Sequence, residues 1–351
     1  MVSVLYIIVG LAALSLLVLI HEMGHFLLAK AFKMPVDVFC IGYGKPLPFL
    51  KFKRKETTYG IGPFPFGGYV KIPGLDPRET AFLDDESKIK DFILQPYYKR
   101  ALMAAGGPIA NILAAVLIFS LVMMLGVIEP TTTIDKVTKD SPASKAGIRS
   151  GDTITAIDGK KVDDWQALVL AIRGTKKRAI DLKIKRKSQT LILKTGIATK
   201  EGQQYIGIIP KARTVRYNPF SAFYQGMLSA IITIASLLVS IYLLIVGKLP
   251  FRPVSPIGIV QVTSQAARHG LVAFLDFFAF LNIIIGVTNL FPIFPLDGAK
   301  IGLWTMERIK GSFFKTRTVV VLQAIGIGLL LVLVLSAVYM DILRPLPDPF
   351  R

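Results

Sequence analysis

The chain has 351 residues, 52% of them hydrophobic, and a formal net charge of +19. With a mean hydropathy of +0.55 it is too apolar for an ordinary soluble enzyme of this length. The basic charge is clustered by segment, so it reads as topology and as contact with anionic lipid headgroups rather than as a nucleic-acid surface.

The N-terminal run to Ile20 is uncharged over roughly the ~20 residues that span a bilayer. No basic stretch precedes Lys30 and no small-x-small cleavage pattern follows, so residues 1–32 are expected to remain as a first transmembrane helix. Within it lies "HEMGH". His21 and His25, four apart, share one helix face. HExxH on a helix is the arrangement in which two imidazoles bind Zn²⁺ and the intervening glutamate, here Glu22, is a general base. The alternative is a pair of buried, hydrogen-bonded histidines. Ionisable groups inside a span are costly and usually functional, which weighs against it. The remaining histidine, His269, lies outside the motif.

Residues 33–100 hold 12 Lys and Arg and read as a cytoplasmic or membrane-dipping region. In it "TYGIG" and "GGYVKI" suggest two short strands around a turn. Such backbone survives at membrane depth only where protein buries it or it lines a wet cavity. Residues 75–91 read as a solvated loop, and 101–128 as a second span. Residues 129–214 then read as a small, mainly β domain. Thr153–Ile157 alternate as a strand, Asp158-Gly159 is a hairpin turn, 165–172 are helical, and 179–186 and 189–194 alternate again. The run "AGIRSGDTITAIDG" resembles a bacterial PDZ domain, which implies binding of extended peptides by strand addition. A domain that binds nothing, acting as spacer or steric filter, is the alternative.

Residues 215–272 contain the very apolar stretch Tyr217–Gly247, and 273–298 form a further span ending in "NLFPIFPLDGAK". A cytoplasmic loop (299–317), a last span (318–341) and a tail (342–351) complete the chain. The loop is basic through Lys300, Arg308, Lys310, Lys315 and Arg317. With 33–100 also basic, the positive-inside rule places both loops in the cytoplasm and both termini outside. The lone Cys40 rules out an internal disulfide framework.

Catalytic zinc needs a third protein ligand and an open position. Asp297, at the inner end of a span, is a candidate, and helix capping is its alternative role. For Asp297 to reach the depth of His21 and His25, Tyr217–Gly247 cannot cross once as a simple span. It is expected to lie along the outer interface or to enter and return as a hairpin. The expected fold is therefore a multi-pass α-helical membrane protein of about four spanning helices, with a membrane-associated β element and one extracytoplasmic PDZ domain (α+β).

HExxH in the first span, "GGYVK" after it, "AGGPIAN" opening the second, a PDZ-like domain, and "NLFPIFPLDG" late in the chain occur in this order. The chain thus resembles the site-2 protease family of intramembrane zinc metalloproteases, in particular the bacterial regulators of sigma-factor proteases. The resemblance implies zinc ligands at His21, His25 and Asp297, with Glu22 as base. It implies that Asn289 contacts substrate backbone and that Gly67, Gly68 and Tyr69 belong to a strand pairing with unwound substrate. Two departures stand out. The enterobacterial type has two tandem PDZ domains, and this chain has room for one. A second motif asparagine, expected five residues before Asn289, falls on Ile284, with Asn282 nearby.

The implied activity is hydrolysis of a peptide bond in single-span membrane proteins during regulated intramembrane proteolysis. Anti-sigma factors or signal-peptide remnants, trimmed beforehand by a site-1 protease, are the substrate types. The location is the bacterial inner membrane. The competing reading is a non-catalytic, membrane-anchored PDZ receptor or assembly factor, and the intact His21, Glu22, His25 and Asp297 set argues against it.

Overall fold

The computed structural model describes residues 4–75, 92–175, 177–200, 203–251 and 253–343. The loop expected over 75–91 lies almost wholly outside them. The chain opens with α1 (Val4–Ala31), β1 (Val38–Tyr43), β2 (Lys51–Arg54), β3 (Thr57–Ile61), β4 (Phe64–Lys71) and α2 (Tyr97–Leu125). Next come β5 (Val127–Val137), α3 (Pro142–Lys145), β6 (Thr153–Ile157), β7 (Lys160–Lys161), α4 (Trp165–Gly174), β8 (Ala179–Arg186) and β9 (Gln189–Gly196). The rest is β10 (Ala198–Lys200), β11 (Gln203–Tyr205), β12 (Ile208–Val215), α5 (Pro219–Ile245), α6 (Pro256–Arg268), α7 (Leu271–Asn289), α8 (Asp297–Lys310) and α9 (Thr316–Leu343). Two units emerge: Leu125–Tyr217, and the remainder.

Among the described residues of the larger unit five helices are long and apolar enough to cross a membrane: α1, α2, α5, α7 and nearly all of α9. Ala13 and Leu17 of α1 pack on Phe278 and Leu281 of α7. Ala115 and Phe119 of α2 pack with Ala230 of α5 and with Ala279, Ile283 and Val287 of α7. Helices gain little hydrophobic drive from one another in lipid, so close approach through small residues carries the packing. Where α1 crosses α2, a Cβ on Gly24 would meet the Gly106 carbonyl oxygen, and one on Gly106 would lie 2.7 Å from the Gly24 oxygen.

The sheet beside α1 has strand order β2-β3-β1-β4. The sequence reading of β3 and β4 as strands holds, but they do not flank a turn as neighbours. β1 lies between them, parallel to β3 and antiparallel to β4, with Cys40 opposite Tyr69 and Ile41 opposite Gly68. β4 is consequently an edge strand.

Tyr217–Gly247 also departs from expectation. The stretch is not a hairpin but one continuous helix, α5, opened by Asn218, whose side chain accepts a 3.0 Å hydrogen bond from the Ser221 N–H. Nor does it lie apart from the bundle, because it runs antiparallel to α2: a Cβ on Gly226 would meet the Ser120 hydroxyl, and Ala230 packs by Ala115. The return is made by α6. The Ser264 hydroxyl donates to the Tyr6 carbonyl at 2.7 Å, and a Cβ on Gly10 would lie 2.8 Å from the Val260 oxygen. α6 therefore climbs antiparallel to α1, back towards the end where α1 begins. At 13 residues it is about 20 Å long, too short for a full span.

The smaller unit matches its sequence reading closely. Its main sheet has order β12-β5-β6-β8-β9, with β7 against β6. Asp158 and Gly159, at φ 46° and 80°, form the two-residue turn between β6 and β7. Asp164 caps α4 by accepting the Ala167 N–H at 2.7 Å. Ile134, Ile154, Leu168, Ile172, Ile180, Leu182 and Ile184 fill the core. A cleft of about 380 Å³ opens between α4 (Trp165, Val169, Ile172) and Tyr205–Ile208.

Candidate metal centre

The buried stripe of α1 is Gly10, Ala13, Leu17, His21, Gly24, His25 and Ala29, a helical spacing that puts both histidines on the protein-facing side. Glu22 stands about 100° round the helix from His21, towards the sheet. Asp297 arrives from α8. The chain leaves α7 at Asn289, folds back through Pro292 and Pro295, and restarts at Asp297. Gly298 makes the reversal possible, since a Cβ there would collide with the Leu290 carbonyl. The cap residue of α8 is Leu296, with no side-chain cap bond, so the Asp297 carboxylate is not spent on capping.

Asp297 Oδ2 lies 3.0 Å from His21 Nε2 and 3.1 Å from His25 Nε2, and the two Nε2 atoms are 3.2 Å apart. All three residues are buried. His25 Nδ1 donates to the Met103 carbonyl at 2.9 Å, which leaves the Nε2 lone pair facing inward. Three atoms able to offer lone pairs thus converge, and a cation between them would offset their mutual repulsion. Donors at 2.0–2.1 Å around a tetrahedral zinc stand about 3.3–3.4 Å apart, close to the observed triangle. The donor set fits Zn²⁺. Among the described residues this is the one group of three or more His, Cys, Asp or Glu side chains with that convergence.

Glu22 is not part of the triangle. Its Oε2 accepts the Val70 N–H at 3.1 Å, tying α1 to β4. The Val70 N–H therefore points away from β1, and by strand alternation Gly68 shares that open edge. Tyr69 faces elsewhere, its hydroxyl donating to the Gly44 carbonyl at 3.2 Å. Gly67, at φ 71°, lies against Val18 of α1. An apolar cavity of about 480 Å³ opens beside it, lined by Leu11, Leu14, Val18, Tyr43, Ile257 and Val260 among others. Asn289 is half-buried at the end of α7 and donates to the Ile285 carbonyl at 3.0 Å, outside the triangle. Asn282 is fully buried and donates to Phe278.

Sequence reasoning missed three supports of the site. Lys300 Nζ lies 3.1 Å from Asp297 Oδ1, the oxygen not aimed at the histidines. Met103 supplies the carbonyl that orients His25. Gly107 faces the imidazoles so closely that a Cβ would lie 2.5 Å from His25 Nε2 and 2.7 Å from His21 Nε2. The paired glycines of "AGGPIAN" were the one visible signal of this crowding.

The Peptidase family M50 model matches residues 9–333 of the chain. A Clostridium acetobutylicum protein named "Putative zinc metalloprotease" is 33% identical over 97% of this chain and 98% of its own. The regulator of sigma-W protease RasP of Bacillus subtilis is 28% identical over 93% of this chain and 96% of its own. The protease RseP of Yersinia pestis is 27% identical over 98% and 100%. Among solved structures, the PDZ domain of an SdrC-like protein from Listeria innocua aligns with 23% of this chain and 92% of its own, at 25% identity and a TM-score of 0.21.

Proposed function

The chain belongs to peptidase family M50 and is a multi-pass intramembrane zinc metalloprotease of regulated intramembrane proteolysis, and on that premise we propose that His21, His25 and Asp297 hold the zinc and Glu22 is the base. The carrying observation is the triangle of donor atoms, closed by residues 276 positions apart in sequence. When bound there, Zn²⁺ supplies Lewis acidity, lowering the pKa of a coordinated water to about 7 and polarising a carbonyl.

The remaining roles belong to the protein. Glu22 takes a proton from the attacking water and delivers it to the leaving amine. Its bond to Val70 holds the carboxylate between α1 and β4 for both transfers. The open edge of β4 at Gly68 offers backbone pairing to a substrate segment unwound from its helix, whose amides are otherwise closed to attack. Tyr69 packs the strand in place, Gly67 keeps it flush against α1, and Asn289 binds substrate backbone near the end of α7. The substrates are single-span membrane proteins already shortened by a site-1 protease, such as anti-sigma factors or signal-peptide remnants. The cleft of the PDZ domain supports contact with an extended peptide. The site of action is a bacterial inner membrane, with both termini extracytoplasmic.

Metal analysis of the purified protein tests the ligand set. Asp297→Asn and His25→Phe are each expected to lose stoichiometric zinc while keeping the helical content of the parent. Full zinc retention by both would refute the assignment.

A further inference from the structure

α7 carries one carboxylate, Asp276, that the zinc chemistry does not use. Asp276 lines a cleft of about 350 Å³ with Phe119 of α2, Ser229, Ile232 and Thr233 of α5, and Phe277 and Phe280 of α7. It lies five residues, about 8 Å, from the start of α7, and Ser229 lies about 15 Å from the start of α5. The cleft is therefore inside the hydrocarbon layer, not at its rim, given a core about 30 Å thick. Asp276 is exposed to the surroundings of the bundle, as are Ile232 and Phe280. Among the described residues it forms no hydrogen bond or ion pair. It also faces away from the zinc side: Phe278 and Leu281 of the same helix turn towards α1.

An unpaired carboxylate facing lipid is costly, and such residues recur where a partner group compensates them. Here the surroundings select the partner's chemistry. A carboxylate, two hydroxyl-bearing side chains and three aromatic rings together suit a cation, by ion pairing and by cation–π contact. The depth selects its source. A lipid amine sits with the headgroups, above the cleft, whereas a lysine or arginine on a transmembrane helix reaches it directly. A second copy of this chain does not qualify, because its own apolar spans carry no Lys or Arg at that depth.

We propose that the α2–α5–α7 cleft is a docking site for the transmembrane helix of another protein, one bearing a lysine or arginine one to two turns inside its extracytoplasmic end. Polar residues contribute to helix association in membranes, and an ion pair shielded from water by Phe277 and Phe280 adds orientation to it. The site is independent of the zinc reading, since it shares no residue with the metal centre.

The test uses the full-length protein in phosphatidylcholine vesicles with a fluorescent Leu/Ala-rich single-span peptide. The peptide carries either one lysine two turns from its outer end or leucine at that position, and association is read by energy transfer. The lysine peptide is expected to bind roughly five- to thirty-fold more tightly than its leucine twin. Asp276→Asn removes that preference and Asp276→Glu keeps it, and cleavage of a reporter by Asp276→Asn reports that the fold is intact. Equal binding of the two peptides, or a lysine preference that survives in Asp276→Asn, overturns the proposal. So does a preference abolished by adding phosphatidylethanolamine, which would assign the cleft to a lipid amine.

Discussion

At the scale of single residues, Lys300 shows how the site is built beyond its ligands. One turn of α8 places its ammonium on Asp297 Oδ1, 3.1 Å away and partly shielded from solvent. This leaves Oδ2 as the oxygen offered to the histidines and balances the carboxylate's charge in a buried setting. Groups that orient a metal ligand typically contribute 10–100-fold in affinity. Lys300→Met is therefore expected to weaken zinc retention against a competing chelator by about that factor, and Lys300→Arg to restore most of it. Identical retention in Lys300→Met and the parent would remove the role. The two histidines proposed as ligands were legible in the sequence, because HExxH states its geometry through helical periodicity alone. Asp297 was legible as a candidate only. Its alternative as a cap falls away once Leu296 is seen at the cap position. Lys300, Met103 and Gly107 were not legible, since their roles exist only after α2 and α8 are brought to α1.

At the scale of elements, local patterns read well and non-local pairing did not. β6, α4, β8 and β9 lie where alternation and helical spacing put them, and the Asp158-Gly159 turn has the positive φ angles its sequence calls for. The insertion of β1 between β3 and β4 was invisible, because parallel pairing of β1 with β3 leaves no short-range signature. One element-level contact carries a pH dependence. Burial raises the Asp152 carboxyl, but hydrogen bonds from Arg186 at 2.8 Å and from the Arg149 N–H outweigh it and hold the group below its ordinary value. A carboxyl depressed in the folded state stabilises above its unfolded pKa, and that contribution is lost as pH falls through the folded one. Arg186→Met is accordingly expected to lower the hydrogen-exchange protection of β6 and β8 at neutral pH. The gap from the parent should close below the normal carboxylate range. A gap that is constant down to pH 2 would show that the contact acts by packing alone.

At the scale of the whole molecule, the structure revises the path of the chain while keeping the meeting of Asp297 with the histidines. α5 continues about 28 Å beyond Gly226, nearly to the level where α2 starts, and α6 brings the chain back beside α1. The count of crossings is thus balanced by a short helix that no length criterion recognises as a span. In a Cys40→Ser background, single cysteines at Lys248 and Gly311 are expected to react with a membrane-impermeant thiol reagent from the same, cytoplasmic side. Labelling of Lys248→Cys from the outer side alone would instead support a return within α5.

The central claim is that Glu22 is a base beside a zinc held by His21, His25 and Asp297, and one variant tests it most directly. Purified Glu22→Gln protein should retain zinc at the parent's stoichiometry, because the side chain is no ligand, and keep its fold, because a Gln can still accept from Val70. Its cleavage of a trimmed single-span reporter should fall by at least the 10²–10⁴-fold that general acid–base catalysis contributes. Glu22→Gln protein that binds zinc and cuts the reporter at close to the parent's rate would contradict the account.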